Sequence, residues 1–501
     1  MSLTSTGRYG RRTILAFLLY GTAGAALANA PLQSVRPLRK PGEAVKRAEP
    51  EGVQIIESAK LGGHTSYVVA DARTGAVLES VSPRRLHPPA SVAKAVTAFY
   101  ALERLGKDFR YLTQLVGTGP IVDNVLQGDL VLVGSGDPLL TSDELYELAS
   151  GLKAAGLVGV KGKLKVFESA LPTVQEIDPA QPLQVGYNPG IGGVNLNFNR
   201  AYLEWKKVGS SYTITMEART ARFRPAISSA KAEIVDGPGP VFTYSNAQDQ
   251  ERWTVARKAL GKGGGRWLPV RRPGVYAGDV FRTLARSHGI ELPKAELTRS
   301  VPDNVTKFAE HLSPPLDEIC QGMLKFSTNL TAEVVGLTAS GAGTLRASGR
   351  TMSEWAQART GTQNAVFVDH SGLGDKTATS AQDMVRALAA NGARDTLLPI
   401  LKELAVRDPS GAPIENGPVK VMAKTGTLNF VSGLAGYIDM EDGQQLVFAI
   451  FASDEARRGK LTREQRERPR GARSWNGRAK TMQQKLIRRW AVVHAADGDG
   501  T

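Results

Sequence analysis

The chain is 501 residues long, with 63 Lys and Arg against 48 Asp and Glu, a formal charge of +15 and a single cysteine. That length exceeds one ordinary hydrophobic core and calls for two or three domains. A composition of 42% hydrophobic and 22% charged residues excludes wholesale disorder, and one cysteine, Cys320, excludes an intramolecular disulfide framework and any cysteine-based zinc site. The basic excess points to an anionic partner without saying which.

Residues 1–12 carry Arg8, Arg11 and Arg12 and no acid. An apolar run follows from Thr13 to Leu27, closed by Ala28, Asn29 and Ala30. Basic, apolar and small in that order reads as a secretory signal peptide over residues 1–30, cleaved near Ala28 or Ala30. An uncleaved anchor is the alternative, but the run is short for a span and is interrupted by Gly21 and Gly24. Arg11-Arg12 admits twin-arginine as well as general export. Export places the protein in the periplasm and argues against a nucleic-acid partner. Residues 31–50, rich in Pro, Lys and Arg, read as a linker.

Beyond the linker, Thr65–Ala70 and Gly75–Ser80 are β-prone runs around Asp71–Gly75, a hairpin signal. Ser91 to Leu105 has helical spacing, with Val92, Ala93, Val96, Phe99 and Leu102 on its apolar positions. From about residue 110 short β-prone runs dominate, at Val116, Ile121–Leu126 and Leu130–Val133, with one helical segment at Ser142–Ala155. More β-prone pieces cover Asn195–Trp205 and Tyr212–Glu217, and Gly261–Gly265 reads as a turn. Helical character returns at Ala277–Ser287, Leu316–Thr338 and Thr351–Arg359. Leu434–Ile438 and Gln445–Phe451 read as strands, and Arg478–His494 as a basic amphipathic helix. The pattern is a mixed α/β (α+β) domain interrupted by a large, mostly β insertion.

Three short motifs stand in order: Ser91-Val92-Ala93-Lys94, Ser327-Thr328-Asn329 and Lys424-Thr425-Gly426-Thr427. Alone each is weak. Ser-x-x-Lys recurs at Ser150–Lys153 and Ser228–Lys231, and Ser-x-Asn at Ser474–Asn476; Lys-Thr-Gly occurs once. Context strengthens them. Ser91 follows Pro88-Pro89-Ala90 and opens an apolar helix, so its Oγ sits at the positive end of the helix dipole. Lys94 at i+3 shares its face. A lysine partly desolvated beside other cations loses its proton more readily and can serve as a base. Ser327 supplies a hydroxyl that can relay a proton, and Asn329 an amide that both donates and accepts. Gly426 lets another backbone approach a strand, whose edge could take an extended peptide. Lys424, Thr425 and Thr427 supply a cation and two hydroxyls, which suits a carboxylate.

All three motifs in this order resemble the serine penicillin-recognising enzymes. Further stretches narrow the resemblance: Gly134-Ser135-Gly136-Asp137-Pro138-Leu139, Tyr187-Asn188-Pro189, Asn195-Leu196-Asn197-Phe198-Asn199, Asp369-His370-Ser371-Gly372-Leu373, and Gly433–Tyr437 after the Lys-Thr-Gly motif. They are similar to the D-alanyl-D-alanine carboxypeptidase/endopeptidase family of the penicillin-binding protein 4 type, peptidase family S13, over about residues 55–490. The resemblance implies a transpeptidase/β-lactamase-like catalytic domain from residues 51–112 and 296–494, split by inserted domain(s) at 113–295. It implies serine-type cleavage of peptidoglycan stem peptides through an acyl-serine, with β-lactams as covalent inhibitors. It further implies catalytic roles for Ser91, Lys94, Ser327 and Lys424, substrate binding by Asn329, Thr425, Gly426 and Thr427, and an oxyanion hole from the Ser91 and Thr427 amides. No cofactor and no metal are expected, and His64, His87, His288, His311, His370 and His494 show no metal-ligand spacing. A fold-retaining, non-hydrolytic wall-binding protein and a β-lactamase are the alternatives; the intact motif residues speak against the first and the long insertion against the second.

Some positions depart from the family pattern. The middle motif reads Ser-Thr-Asn where Ser-Asp-Asn is commoner. His370 stands where glycine is usual, and Gly374-Asp375-Lys376-Thr377 lacks the expected Asn-Arg pair, so the cleft rim is expected to differ. Residues 457–489 hold 13 Lys and Arg against Glu464 and Glu467. They read either as a solvated surface or as a peripheral contact to membrane or anionic cell-wall polymer.

Overall fold

The computed structural model describes residues 46, 48–247, 250–415 and 417–495. The signal peptide expected over 1–30 and most of the expected linker lie outside them. The organising element is a six-stranded antiparallel sheet. Its order is Lys402–Glu403, Val419–Leu428, Val431–Met440, Gln445–Ser453, His64–Asp71 and Val77–Val81. The expected N-terminal hairpin thus closes the sheet against strands near the C-terminus.

Both faces of this sheet are covered, so its central strands read as continuous apolar runs rather than alternating ones. Alternation still sorts their side chains. Val68, Ala70, Ala435, Tyr437 and Ala449 face a cluster built from the helices Ala93–Leu105, Leu316–Phe326, Asn329–Ser340 and Ala381–Ala389. Tyr67, Val69, Leu434, Phe448 and Ile450 face the C-terminal helix Ala472–Val493, through Trp475, Met482, Leu486 and Trp490. That helix starts six residues before the expected Arg478, because the apolar stripe already includes Ala472 and Trp475.

The insertion is sheet-rich but carries two helices. A five-stranded mixed sheet runs Glu296–Thr298, Leu164–Phe167, Leu130–Gly134, Leu112–Gly117 and Thr306–Leu312. Helices Ser142–Ala154 and Pro273–Ser287 share its core through Leu145, Leu148, Val280 and Phe281. The first begins with a capping box between Thr141 and Glu144. Three three-stranded sheets complete the insertion among the described residues, and Gly263–Pro269, partly read as a turn, is a strand of one of them. The expected return at residue 296 needs correction. Thr306–Leu312 pairs with Leu112–Gly117, so the insertion's sheet extends to Leu312 and the chain leaves it at Ser313. The insertion also reaches the other domain: Leu171, Ile177 and Ile191 sit in the cluster with Val96 and Phe99.

Candidate active site

Ser91 does not lie in the α-helix expected from it. It sits in a 3-10 turn, Ala90–Val92, and the α-helix begins at Ala93. Ala90 takes a left-handed φ of 48°, which an α-helical turn cannot include, so the regular helix starts only after it. The turn is wedged against the sheet. A side-chain carbon on Gly426 would come within 2.5 Å of the Pro89 carbonyl and 3.1 Å of the Ser91 nitrogen. Only glycine at 426 allows strand Val419–Leu428 to approach the turn this closely.

One turn into the helix, Lys94 is fully buried, with 0% exposure. Its Nζ lies 2.9 Å from Ser91 Oγ, 2.8 Å from Asn329 Oδ1 and 2.8 Å from the Ser371 carbonyl. The two carbonyl-type oxygens can only accept, so they take two N–H groups. The third position faces a hydroxyl that can either donate or accept. In the neutral amine that position is the lone pair, aimed at the Ser91 proton. Burial, reinforced by the Lys424 charge, pushes the Lys94 ammonium down to about 7, against the pull of Glu333 and Asp369.

Ser327 and Lys424 form the second half of the site. Ser327 ends helix Leu316–Phe326 with a left-handed φ of 60°, which breaks the helical stretch expected to run to Thr338 and presents the hydroxyl between two helices. Lys424 Nζ donates to Ser327 Oγ at 3.0 Å and to the Thr425 carbonyl at 2.8 Å. Burial, then the charge of Lys402, brings Lys424 down to about 8. Thr425 and Thr427 are exposed. The outer neighbour of their strand, Lys402–Glu403, pairs only with Ala423 and Met422. Among the described residues the edge from Lys424 to Leu428 therefore has no strand partner. The structure thus brings together Ser91, Lys94, Ser327, Asn329 and the 424–427 edge, which are far apart in the chain.

Four further contributors complete the site, and of these only Glu333 lies outside the stretches that carry the resemblance. Asn329 Nδ2 donates to the Tyr187 carbonyl at 2.9 Å, so a loop of the insertion enters the site. Ser371 supplies the Lys94 acceptor. Glu333, 0% exposed, accepts from the His370 and Ser371 amides at 2.8 and 2.9 Å and holds that segment. Burial and Asp369 lift its carboxyl to about 8. Asp369 accepts from the Gly372 and Gly374 amides and from Thr377 Oγ1, a turn-shaping role.

The model of the D-Ala-D-Ala carboxypeptidase 3 (S13) family matches residues 53–469. The chain belongs to that family. As a member it is a serine-type D-alanyl-D-alanine carboxypeptidase/endopeptidase, a hydrolase. It is similar to D-alanyl-D-alanine carboxypeptidase DacB of Haemophilus influenzae, with 23% identity over 415 residues, covering 78% of this chain and 85% of that one. It is also similar to the D-alanyl-D-alanine carboxypeptidase of Actinomadura sp. strain R39, with 27% identity over 435 residues and 79% of each chain covered. The crystal structure of penicillin binding protein 4 from Haemophilus influenzae shares the fold, with a TM-score of 0.71, 20% identity, and 88% of this chain and 99% of that one covered.

Within the S13 frame the departures have local reasons. His370 fills space left by Gly336, whose hypothetical side chain would overlap the imidazole. His370 Nε2 meets Ser348 Oγ at 2.6 Å, and burial alone pushes the ring down to about 3, so it is neutral. Asp375 replaces the expected Asn-Arg pair and binds Arg458 and Arg466, each at 2.6 Å. Next to them Arg463 pairs with Glu176 at 3.1 Å, and Glu467 accepts from Arg266 at 2.9 Å. Part of the basic 457–489 segment is therefore a bridge between the insertion and the catalytic domain, not a free surface.

Proposed function

We propose that Ser91 is the nucleophile and Lys94 its base in cleaving the D-alanyl bond at the end of peptidoglycan stem peptides. The observation that carries this is the 2.9 Å Lys94–Ser91 contact in a site where lysine is brought down to about 7. Lys94 takes the Ser91 proton as Oγ bonds to the carbonyl carbon of the penultimate D-alanine. The Ser91 and Thr427 amides receive the developing oxyanion. The C–N bond then breaks, and Ser327, bonded to Lys424, passes a proton to the leaving amine. Asn329 holds the substrate amide, and Thr425 and Thr427 meet the terminal carboxylate on the strand that Gly426 seats against the Ser91 turn. Water, activated by the same Lys94, releases the acyl group and regenerates Ser91.

The same attack opens a β-lactam, and the Haemophilus influenzae protein of this fold has been seen complexed with one. Ser91→Ala should lose all covalent labelling by penicillin; retained labelling overturns the assignment. Digestion of purified muropeptides separates the two cleavage modes: terminal alanine from monomers marks the carboxypeptidase, dimers converted to monomers the endopeptidase.

Export through residues 1–30 to the periplasm is supported by their basic, apolar and small-residue order. N-terminal sequencing of the mature protein, expected to start after Ala28 or Ala30, tests it. Peripheral contact of 457–489 with membrane or anionic polymer rests on fewer charges than the count implies. Arg458, Arg463, Arg466 and Arg489 are paired with Asp375, Glu176 and Glu79.

A further inference from the structure

On the side of strand Val419–Leu428 that meets the C-terminal helix lies a groove for which acyl transfer has no use. It is a cavity of about 840 Å³ whose lip is Thr425, Gly426 and Thr427. Its walls carry Lys325, Lys402, Arg407, Lys480, Lys485 and Arg488. Only Glu403 and Asp408 oppose them. Neither neutralises the groove. Glu403 lies 3.9 Å from Lys420, which is not in the lining. Asp408 closes its own turn, accepting from Ser410 Oγ and the Ala412 amide at 2.6 and 3.0 Å.

Two of the cations are placed by one helix face. Helix Ala472–Val493 buries Met482, Leu486 and Trp490 against the sheet, which turns Lys480, Gln484 and Arg488, spaced four apart, towards the groove. Lys480 and Lys485 are exposed and form no ion pair or hydrogen bond with any described residue. Lys402 stands at the near end, close enough for its charge to depress Lys424.

We propose that this groove binds an acidic peptide: the leaving half of a cross-linked stem dimer. The inference rests on the S13 reading above and adds a subsite to it. Cleaving a monomer releases one D-alanine, whose single carboxylate Thr425 and Thr427 can meet. Cleaving a cross-link releases an amine that carries a further stem peptide with several carboxylates. That peptide needs room and cations next to the 424–428 edge, and the groove opens at this edge with both. Its volume lies in the upper part of the range for ligand sites.

The test compares wild type with Lys480→Glu/Lys485→Glu and Lys480→Gln/Lys485→Gln, in the full mature chain. Both positions are exposed, and penicillin labelling of Ser91 reports that each variant is folded. The expected result is a KM for cross-linked muropeptide dimers raised about tenfold in the Glu pair and less in the Gln pair, with weakened salt dependence. Release of alanine from monomers and the rate of penicillin acylation should be unchanged. Equal loss on dimer, monomer and penicillin would overturn the subsite, as would unchanged dimer KM or a wild type that leaves dimers intact. Loss of poly(glycerol phosphate) binding with dimer KM unmoved would overturn it in favour of a phosphodiester polymer. Failure of the underlying reading looks different: wild-type Ser91 would then not be labelled by penicillin at all.

Discussion

Lys94 Nζ lies 2.9 Å from Ser91 Oγ with its two other hydrogen-bonding directions occupied by Asn329 Oδ1 and the Ser371 carbonyl. The base therefore needs no further partner to point its lone pair at the nucleophile. The neutral fraction of Lys94 should then govern acylation. With Lys94 brought down to about 7, the acylation rate should fall about tenfold per pH unit below that value and level off above it. A falling limb should follow above about 8, where Lys424 loses the charge that holds the carboxylate. Second-order acylation by labelled penicillin between pH 5 and 10 measures both limbs. Lys94→Arg, which cannot deprotonate, should lose more than about 100-fold. A flat profile below pH 7 would sink the assignment.

Asn329 links two elements that only the fold brings together. Its Oδ1 accepts from Lys94 and its Nδ2 donates to Tyr187 of the insertion. Asn329→Ala removes both bonds and leaves the Tyr187 carbonyl without that donor. A loss of about 1–3 kcal/mol follows, or roughly 5- to 160-fold in kcat/KM for peptide. Asn329→Asp keeps the acceptor but loses the donor, and places a carboxylate against Lys94. It should raise the lysine's pKa and shift the lower limb of the pH profile upwards. A pH profile unchanged in Asn329→Asp would show that the side chain does not contact Lys94 in solution.

The three motifs were legible because each is marked by its own neighbours. Pro88-Pro89 leads into the Ser91 turn, the chain reverses at Ser327, and Lys424-Thr425-Gly426 sits inside a β-prone run. The fold class was readable from the same periodicities. Other features have no local mark. Nothing near Glu333 in sequence announces that it will hold the His370–Ser371 segment, since both partners come from more than 35 positions away. Tyr187 stands in a stretch that carries the resemblance, but its contact with Asn329 is visible only in the fold, where Ile177 and Ile191 pack into the catalytic core. The return of the chain at 313 was hidden because a β-prone run does not name its partner strand. The basic segment misled for a related reason: composition counts charges, whereas Asp375 and Glu176 cancel several of them across the cleft.

Gly426 is tested by adding a single methyl group. Gly426→Ala would place a carbon 2.5 Å from the Pro89 carbonyl, and both are backbone-bound, so strand and turn must separate. Overpacking of this kind costs about 1–3 kcal/mol. The displacement falls on the Ser91–Thr427 spacing, so acylation should drop by 100-fold or more while thermal melting stays cooperative. Normal penicillin labelling in this variant would mean the turn does not seat against the strand.

The Asp375 clamp yields a stability prediction with a defined sign. Burial alone would raise the Asp375 carboxyl, but Arg458 and Arg466 outweigh it and hold it below the usual carboxylate range. A depressed carboxylate stabilises the fold above its unfolded pKa, and that contribution is lost as pH falls through the folded value. Asp375→Asn should cost about 1 kcal/mol at neutral pH, allowing for partial exposure. The difference from wild type should shrink as pH falls towards the folded value, which lies below the ordinary carboxylate range. Melting temperatures of the two proteins from pH 7 down to 3 measure it. An equal gap at both ends would remove the ion pairs as its cause.

His370 and Gly336 form a complementary pair, and a double-mutant cycle can separate them. Gly336→Ala alone drives a methyl into the His370 ring and should destabilise by about 1–3 kcal/mol. His370→Gly alone empties a fully buried site and frees Ser348 Oγ of its 2.6 Å contact, costing about 2–4 kcal/mol. In the double variant the alanine methyl occupies part of the vacated space and meets no ring. Its loss should therefore be smaller than the sum of the single losses by at least about 1 kcal/mol. The Glu333 contacts to the 370 and 371 amides use backbone only, so they survive all three variants, and with them the Ser371 carbonyl that accepts from Lys94. Penicillin acylation should accordingly change far less than stability. Strict additivity in denaturant melts would show that the imidazole does not occupy the space above Gly336.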